Sequence, residues 1–188
     1  YNSCCGGDFK NDYVDLEPLK EVIKAGARVL DFEIYSMDNK AVVAASDNDS
    51  FDIKGTYNQL PIDSVIDTIG RYAFSNGFCN NAEDPLLLNF RVKTDNTNIY
   101  KSMTSSIVKH LGSRLLGTAY GREGRDGKGN ITRLPLLDLK NKVIIMVDNA
   151  SNNFRGTDFE DLVNLSSGTP FLRYYRNYNV VYTHDTQE

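Results

Sequence analysis

The run Ala27-Arg28-Val29-Leu30-Asp31-Phe32-Glu33-Ile34-Tyr35 places two carboxylates two residues apart in a strand-like stretch. Side chains alternate across a strand, so Asp31 and Glu33 share one face while Leu30, Phe32 and Ile34 share the other. Two acids on one face repel unless a metal, a basic group or a shared proton offsets them, which points to a site. The alternative is a solvated face of an antiparallel sheet. Other residues able to do chemistry are few. The chain has two histidines, His110 and His184. His110 precedes Leu111-Gly112 at what reads as a helix C-terminus, where the helix dipole favours a cation. His184 follows a strand-like segment near the last residue. The three cysteines, Cys4, Cys5 and Cys79, show no metal-ligand spacing, and adjacent cysteines rarely bridge each other. They read as reduced thiols, with a bridge from Cys4 or Cys5 to Cys79 as the alternative.

The elements around the acidic run decide where it sits. Residues 16–27 carry Leu16, Leu19, Val22, Ile23 and Ala27 at helical spacing, with Gly26 where a helix end favours glycine. A second amphipathic helix is predicted over 61–74 (Ile62, Val65, Ile66, Ile69, Tyr72, Ala73), an apolar strand over 85–92 and a helix over 98–111. The apolar run 142–147 follows the turn Leu134-Pro135-Leu136, and 178–182 reads as a further strand. Strands apolar on both faces and separated by helices predict a parallel α/β sheet. Its functional end is at the carboxyl ends of the strands, where Asp31 and Glu33 are expected.

Composition narrows the function classes. A formal charge of −4 and the absence of Trp leave neither a nucleic-acid footprint nor an aromatic membrane belt. No apolar run approaches the roughly 20 residues that span a bilayer, so a lipid contact would be peripheral. Two linkers stand out, 47–58 and 117–130, with a third polar break over 149–153. The second holds Gly117, Gly121, Gly124, Gly127 and Gly129 among Arg122, Arg125 and Lys128, but lacks the ordered glycine-lysine-threonine end of a P-loop and reads as an exposed connection. One domain over 1–188 is expected.

This order of segments resembles the X region of the phosphoinositide-specific phospholipase C superfamily, a distorted (β/α)8 barrel. The likeness runs through Asn2-Ser3, residues 19–35, 60–74 and 84–92, and Leu134-Pro135-Leu136-Leu137-Asp138-Leu139-Lys140-Asn141-Lys142-Val143-Ile144-Ile145. It is similar above all to the phospholipase-C-like proteins of large DNA viruses, in which stretches like Cys4-Cys5-Gly6-Gly7-Asp8-Phe9-Lys10-Asn11-Asp12-Tyr13-Val14-Asp15 recur. The resemblance implies an incomplete TIM-like (β/α) barrel of parallel strands, and since a full eight-stranded barrel takes about 250 residues, it implies that the sequence is part of a longer chain.

It also implies a chemistry against which the residues can be checked. The superfamily uses one histidine as general base and another as general acid. The first precedes an Asn-Ser/Thr pair, a position held here by Tyr1 ahead of Asn2-Ser3. The second falls within Val42-Val43-Ala44-Ala45-Ser46-Asp47, which has no histidine; Ser46 marks that position. In eukaryotic members an asparagine, a glutamate-x-aspartate pair and a further glutamate hold Ca2+. Asn2, Asp31 and Glu33 match the first three with the acids exchanged, and Arg91 stands at the last. A guanidinium beside two carboxylates supplies the offsetting charge from within, so no metal and no other cofactor is expected. The family's phosphate-binding lysines are replaced by Met146 and Asp148. The resemblance thus implies a catalytically degenerate barrel used as a structural or binding module. Its partners are other proteins, viral capsid or virion proteins among them, and its place is the virion or the cytoplasm of an infected cell rather than a secreted form. The alternative is an active phosphodiesterase of altered mechanism, a phospholipase C on inositol phospholipids, with Tyr1 or His184 as proton carrier, Arg91 on the phosphate and Ca2+ on Asn2, Asp31 and Glu33.

Overall fold

The computed structural model describes residues 2–6, 12–46, 54–121, 131–148 and 152–167. Two short strands, β1 (Cys5–Gly6) and β2 (Tyr13–Val14), pair antiparallel ahead of helix α1 (Leu16–Lys24). Asp15 caps this helix, its side chain accepting the Glu17 amide at 3.0 Å, and Pro18 is tolerated because it lies in the first turn. The predicted helix over 16–27 ends early for a local reason. Gly26 takes φ +91°, and the amides of Gly26 and Ala27 fold back onto the carbonyls of Ile23 and Val22 at 2.9 and 3.0 Å, a Schellman closure.

The chain then enters β3 (Val29–Met37), turns through Asp38-Asn39, and returns as β4 (Lys40–Ala44). Both turn residues have positive φ, 50° and 61°, the conformation of a two-residue hairpin turn, which Asp and Asn adopt more readily than other side chains. The short β5 (Leu60–Pro61) leads into α2 (Ile62–Tyr72), followed by β6 (Leu86–Val92), α3 (Ile99–Leu111), β7 (Val143–Val147) and β8 (Leu165–Ser166). The helices and strands expected around residues 61–74, 85–92, 98–111 and 142–147 are all present, shorter by one to two residues at their ends.

The sheet order is β5-β4-β3-β6-β7-β8. Strands β3, β6, β7 and β8 run parallel, while β4 and β5 pair antiparallel at one edge. The α/β sheet of parallel strands is as expected, and the hairpin is an addition: residues 36–46 carry a turn signal, Asp38-Asn39, that makes 42–44 a strand returning beside β3. Among the described residues the sheet is open, with β5 and β8 at its edges. The expected strand over 178–182 lies outside the described residues.

Alternation gives each strand two destinies. Leu30, Phe32, Ile34, Leu88, Phe90, Val143, Ile145 and Val147 face the helices and are buried against Leu19, Ile23, Val65, Ile66, Ile69, Met103 and Ile107. Phe32 and Phe90 stack across β3 and β6 with ring centroids 5.9 Å apart. The opposite face, termed the inner face, turns away from these helices. Leu87, Ile144, Met146 and Leu165 fill one part of it with Ile131 and Leu139. The other part is polar.

Candidate functional site: a charged network on the inner face

The parallel register of β3 and β6 sets Asp31 beside Asn89 and Glu33 beside Arg91. Period-two alternation sends all four, with Tyr35, to the inner face. Arg91 joins the two acids: Nη2 donates to Asp31 Oδ2 at 2.6 Å, Nε reaches the two Asp31 oxygens at 3.0 and 3.2 Å, and Nη1 donates to Glu33 Oε1 at 2.6 Å. The planar fork of a guanidinium suits such two-sided contact, which a lysine could not reproduce.

The remaining oxygens are taken as well. Asn89 Nδ2 donates to Asp31 Oδ1 at 2.6 Å, while Glu33 Oε2 accepts the Tyr35 hydroxyl at 3.2 Å and the Ser46 backbone amide at 2.8 Å. Glu33 is 3% exposed, so its charge depends on these partners. Burial works against the charge of Arg91, but the hydrogen bonds and charges of Asp31 and Glu33 outweigh it and hold the guanidinium's proton affinity above the ordinary arginine value. Burial, reinforced by Glu33, pushes the Tyr35 phenol above its ordinary value. Tyr35 is therefore a donor here and a poor base.

The N-terminal residues brace the network without joining it. Ser3 pairs with β3 through its amide on the Asp31 carbonyl at 2.7 Å and its hydroxyl on the Asp31 amide at 2.9 Å. Asn2, expected among the ligands, spends its side chain on backbone: Nδ2 donates to the Ala44 carbonyl and Oδ1 accepts the Cys4 amide at 2.8 Å. It lies beside the β3–β4 pair but makes no described contact with either carboxylate. Met146 packs in the inner apolar cluster, and Asp148 accepts the Ser167 hydroxyl at 2.9 Å. Tyr1 and His184 lie outside the described residues.

His110 is in the helix layer, across the sheet from the acids, with ring nitrogens on Asp63 and Asp67 of α2. Cys4, Cys5 and Cys79 are free thiols, so the bridge considered as an alternative is absent. Burial raises the Cys4 thiol well above the ordinary range, which leaves it inert. Among the described residues no group of three or more His, Cys, Asp or Glu side chains is arranged to hold a metal ion, and no helix is long and apolar enough to cross a membrane. The sequence singled out Asp31, Glu33 and Arg91. It missed Asn89 and Tyr35, although both follow the same alternation: Tyr35 is two residues beyond Glu33 and Asn89 two before Arg91.

No protein-family model and no curated protein sequence matches this chain. Solved structures do resemble it. L. pealei PLC21 matches with a TM-score of 0.52 at 18% identity over 71% of this chain and 15% of that one. S. officinalis PLC21 matches with a TM-score of 0.52 at 15% identity over 77% and 16%. A calcium-dependent phosphoinositol-specific phospholipase C from the Gram-negative Pseudomonas sp., in its apo form, matches with a TM-score of 0.51 at 12% identity over 87% and 64%. The chain therefore spans only part of each of these proteins' lengths. At such identities the likeness concerns architecture, and the chain has a phospholipase C-like fold.

Proposed function

We propose that this chain is a catalytically degenerate phospholipase-C-like barrel that serves as a structural or binding module. The observation that carries the reading is Arg91, whose guanidinium lies between Asp31 and Glu33 and bonds to both. The fold's relatives include a calcium-dependent enzyme. Calcium takes six to eight oxygen ligands at 2.3–2.6 Å. Here nitrogen donors already engage the carboxylates, and the Asn2 side-chain oxygen is turned to the Cys4 amide. These residues do not fit a calcium ion.

Among the described residues proton transfer is equally short of candidates. General acid and general base each contribute typically 10²–10⁴-fold to such a reaction. Tyr35 is tied to Glu33, Ser46 presents its backbone amide to the same carboxylate, and both His110 ring nitrogens face carboxylates. The sequence resemblance suggests the setting: the particle, or the infected-cell cytoplasm, of a large DNA virus, with a protein partner.

The deciding experiment is cleavage of inositol phospholipid vesicles by the full chain, with and without millimolar Ca2+. The expected result is no turnover above background under either condition. Turnover, with or without the metal, overturns the reading in favour of the phosphodiesterase alternative, which the shared architecture with a phospholipase C supports.

A further inference from the structure

A second group of charged side chains lies in the groove between α2 and α3, outside the inner-face network. His110 sits in the last turn of α3 with Nε2 at 3.0 Å from Asp63 Oδ1 and Nδ1 at 3.3 Å from Asp67 Oδ1. Asp63 and Asp67 are four residues apart on α2, so they share a face of that helix and flank the ring from two sides. The imidazole is only 14% exposed. Gly70 holds the helices close: a Cβ there would lie 3.0 Å from the His110 carbonyl oxygen, so the ring has little freedom to withdraw.

A neutral imidazole carries one N–H and one lone pair. In this geometry the unprotonated nitrogen of a neutral ring faces a carboxylate oxygen, lone pair against lone pair, whereas the imidazolium donates to both carboxylates. We propose that His110 is a proton-operated latch between α2 and α3, closed on both sides when the ring takes up a proton and released on one side when the proton leaves. The groups facing the ring are Asp63 and Asp67 from α2 and Leu16, uncharged, from α1. Arg71 reaches Asp67 at 2.8 Å, and Lys109, from the helix of His110 itself, reaches Asp63 at 3.3 Å. Both cations are largely exposed, so solvent screens them more than it screens the direct contacts. The His110 hydrogen bond is the foremost reason that Asp63 is held below its ordinary value, ahead of an opposing effect of burial and of help from Lys109 and Ser106.

The sign follows from hydrogen-bond count: the imidazolium donates to both carboxylates and the neutral ring to one, so the latch is closed where the ring carries its proton and loosens as pH rises. The test is denaturant unfolding of the full chain between about pH 5 and 8, comparing wild type with His110→Gln, together with NMR of the imidazole nitrogens. Wild type should lose stability relative to H110Q as pH rises across this range, read as a loss in its urea midpoint that the variant does not share. At the acid end both ring nitrogens of His110 should show the signature of N–H donors bonded to carboxylates, and Asp67→Asn should remove it at one nitrogen while leaving the ring of His184 unchanged. Parallel pH dependence of wild type and H110Q overturns the latch, as does a His110 ring that lacks this signature at either nitrogen. The NMR arm needs only wild type and D67N, so it decides the matter if H110Q fails to fold.

Discussion

Among the described residues one basic side chain is twice set between two acids, and the two settings behave in opposite ways. On the inner face the base is Arg91, the acids come from a neighbouring strand, and Glu33 is almost fully buried. Between α2 and α3 the base is His110, and the acids Asp63 and Asp67 keep 50% and 31% of their side chains in solvent. Arginine cannot lose its proton in a protein, so the inner-face network is a permanent part of the fold. Histidine changes charge near neutrality, and its contribution is conditional. Strand register brings buried charges together where solvent cannot replace a lost partner. Helix surfaces bring them together where water still can.

The largest expected effect breaks the permanent half of the comparison. Arg91→Ala leaves Glu33 charged, buried and without its counterion, and removing one member of a buried pair costs about 3–5 kcal/mol. The chain should unfold at much lower urea, with an unchanged m-value. A loss below about 1 kcal/mol, the scale of an exposed pair, would place the inner-face network in the same class as the helix groove.

The next effect tests the proposal that Arg91 stands in for a metal. Millimolar Ca2+ should leave the midpoint of thermal unfolding unchanged in wild type, because a ligand that does not bind the native state cannot stabilise it. Scanning calorimetry with Ca2+ and with EDTA checks this, and a Ca2+-dependent rise would mean that Arg91 yields its place.

Smaller effects belong to the groove. Asp63, held below its ordinary value chiefly by the His110 hydrogen bond, contributes stability above the unfolded carboxylate value, about 3.9, and loses it as pH falls through the folded value. Acid unfolding followed by circular dichroism should therefore begin at higher pH in wild type than in Asp63→Asn once the two are normalised to their stabilities at pH 6. Least of all, Lys109→Ala removes an exposed contact at 3.3 Å and should cost no more than about 0.5 kcal/mol in urea unfolding. A larger loss would mean that the groove is drier than its exposure indicates.

Much of this was legible in the chain. Apolar spacing marked α1, α2, α3 and the strands β6 and β7, because burial on one helix face or on both strand faces leaves a periodic trace. Alternation alone put Asp31 and Glu33 on one face, while Arg91 entered through the family resemblance, at the position of the last calcium ligand. The hairpin strand β4 was not legible in this way: it rests on Asp38 and Asn39 accepting positive φ, a weak signal beside the apolar run that precedes it.

What only tertiary structure decided is which distant groups meet. Register, set by packing of the whole outer face, places Asn89 beside Asp31 and brings the Ser46 amide and the Tyr35 hydroxyl onto Glu33. Asn2 matched a ligand position in sequence, yet the Ala44 carbonyl and the Cys4 amide take its side chain, because buried peptide groups need partners too. His110 read as a residue at a helix end, and its two carboxylates became visible only when Gly70 brought the helices together. Periodicity records which face of an element is buried; it carries no record of which neighbour is found there.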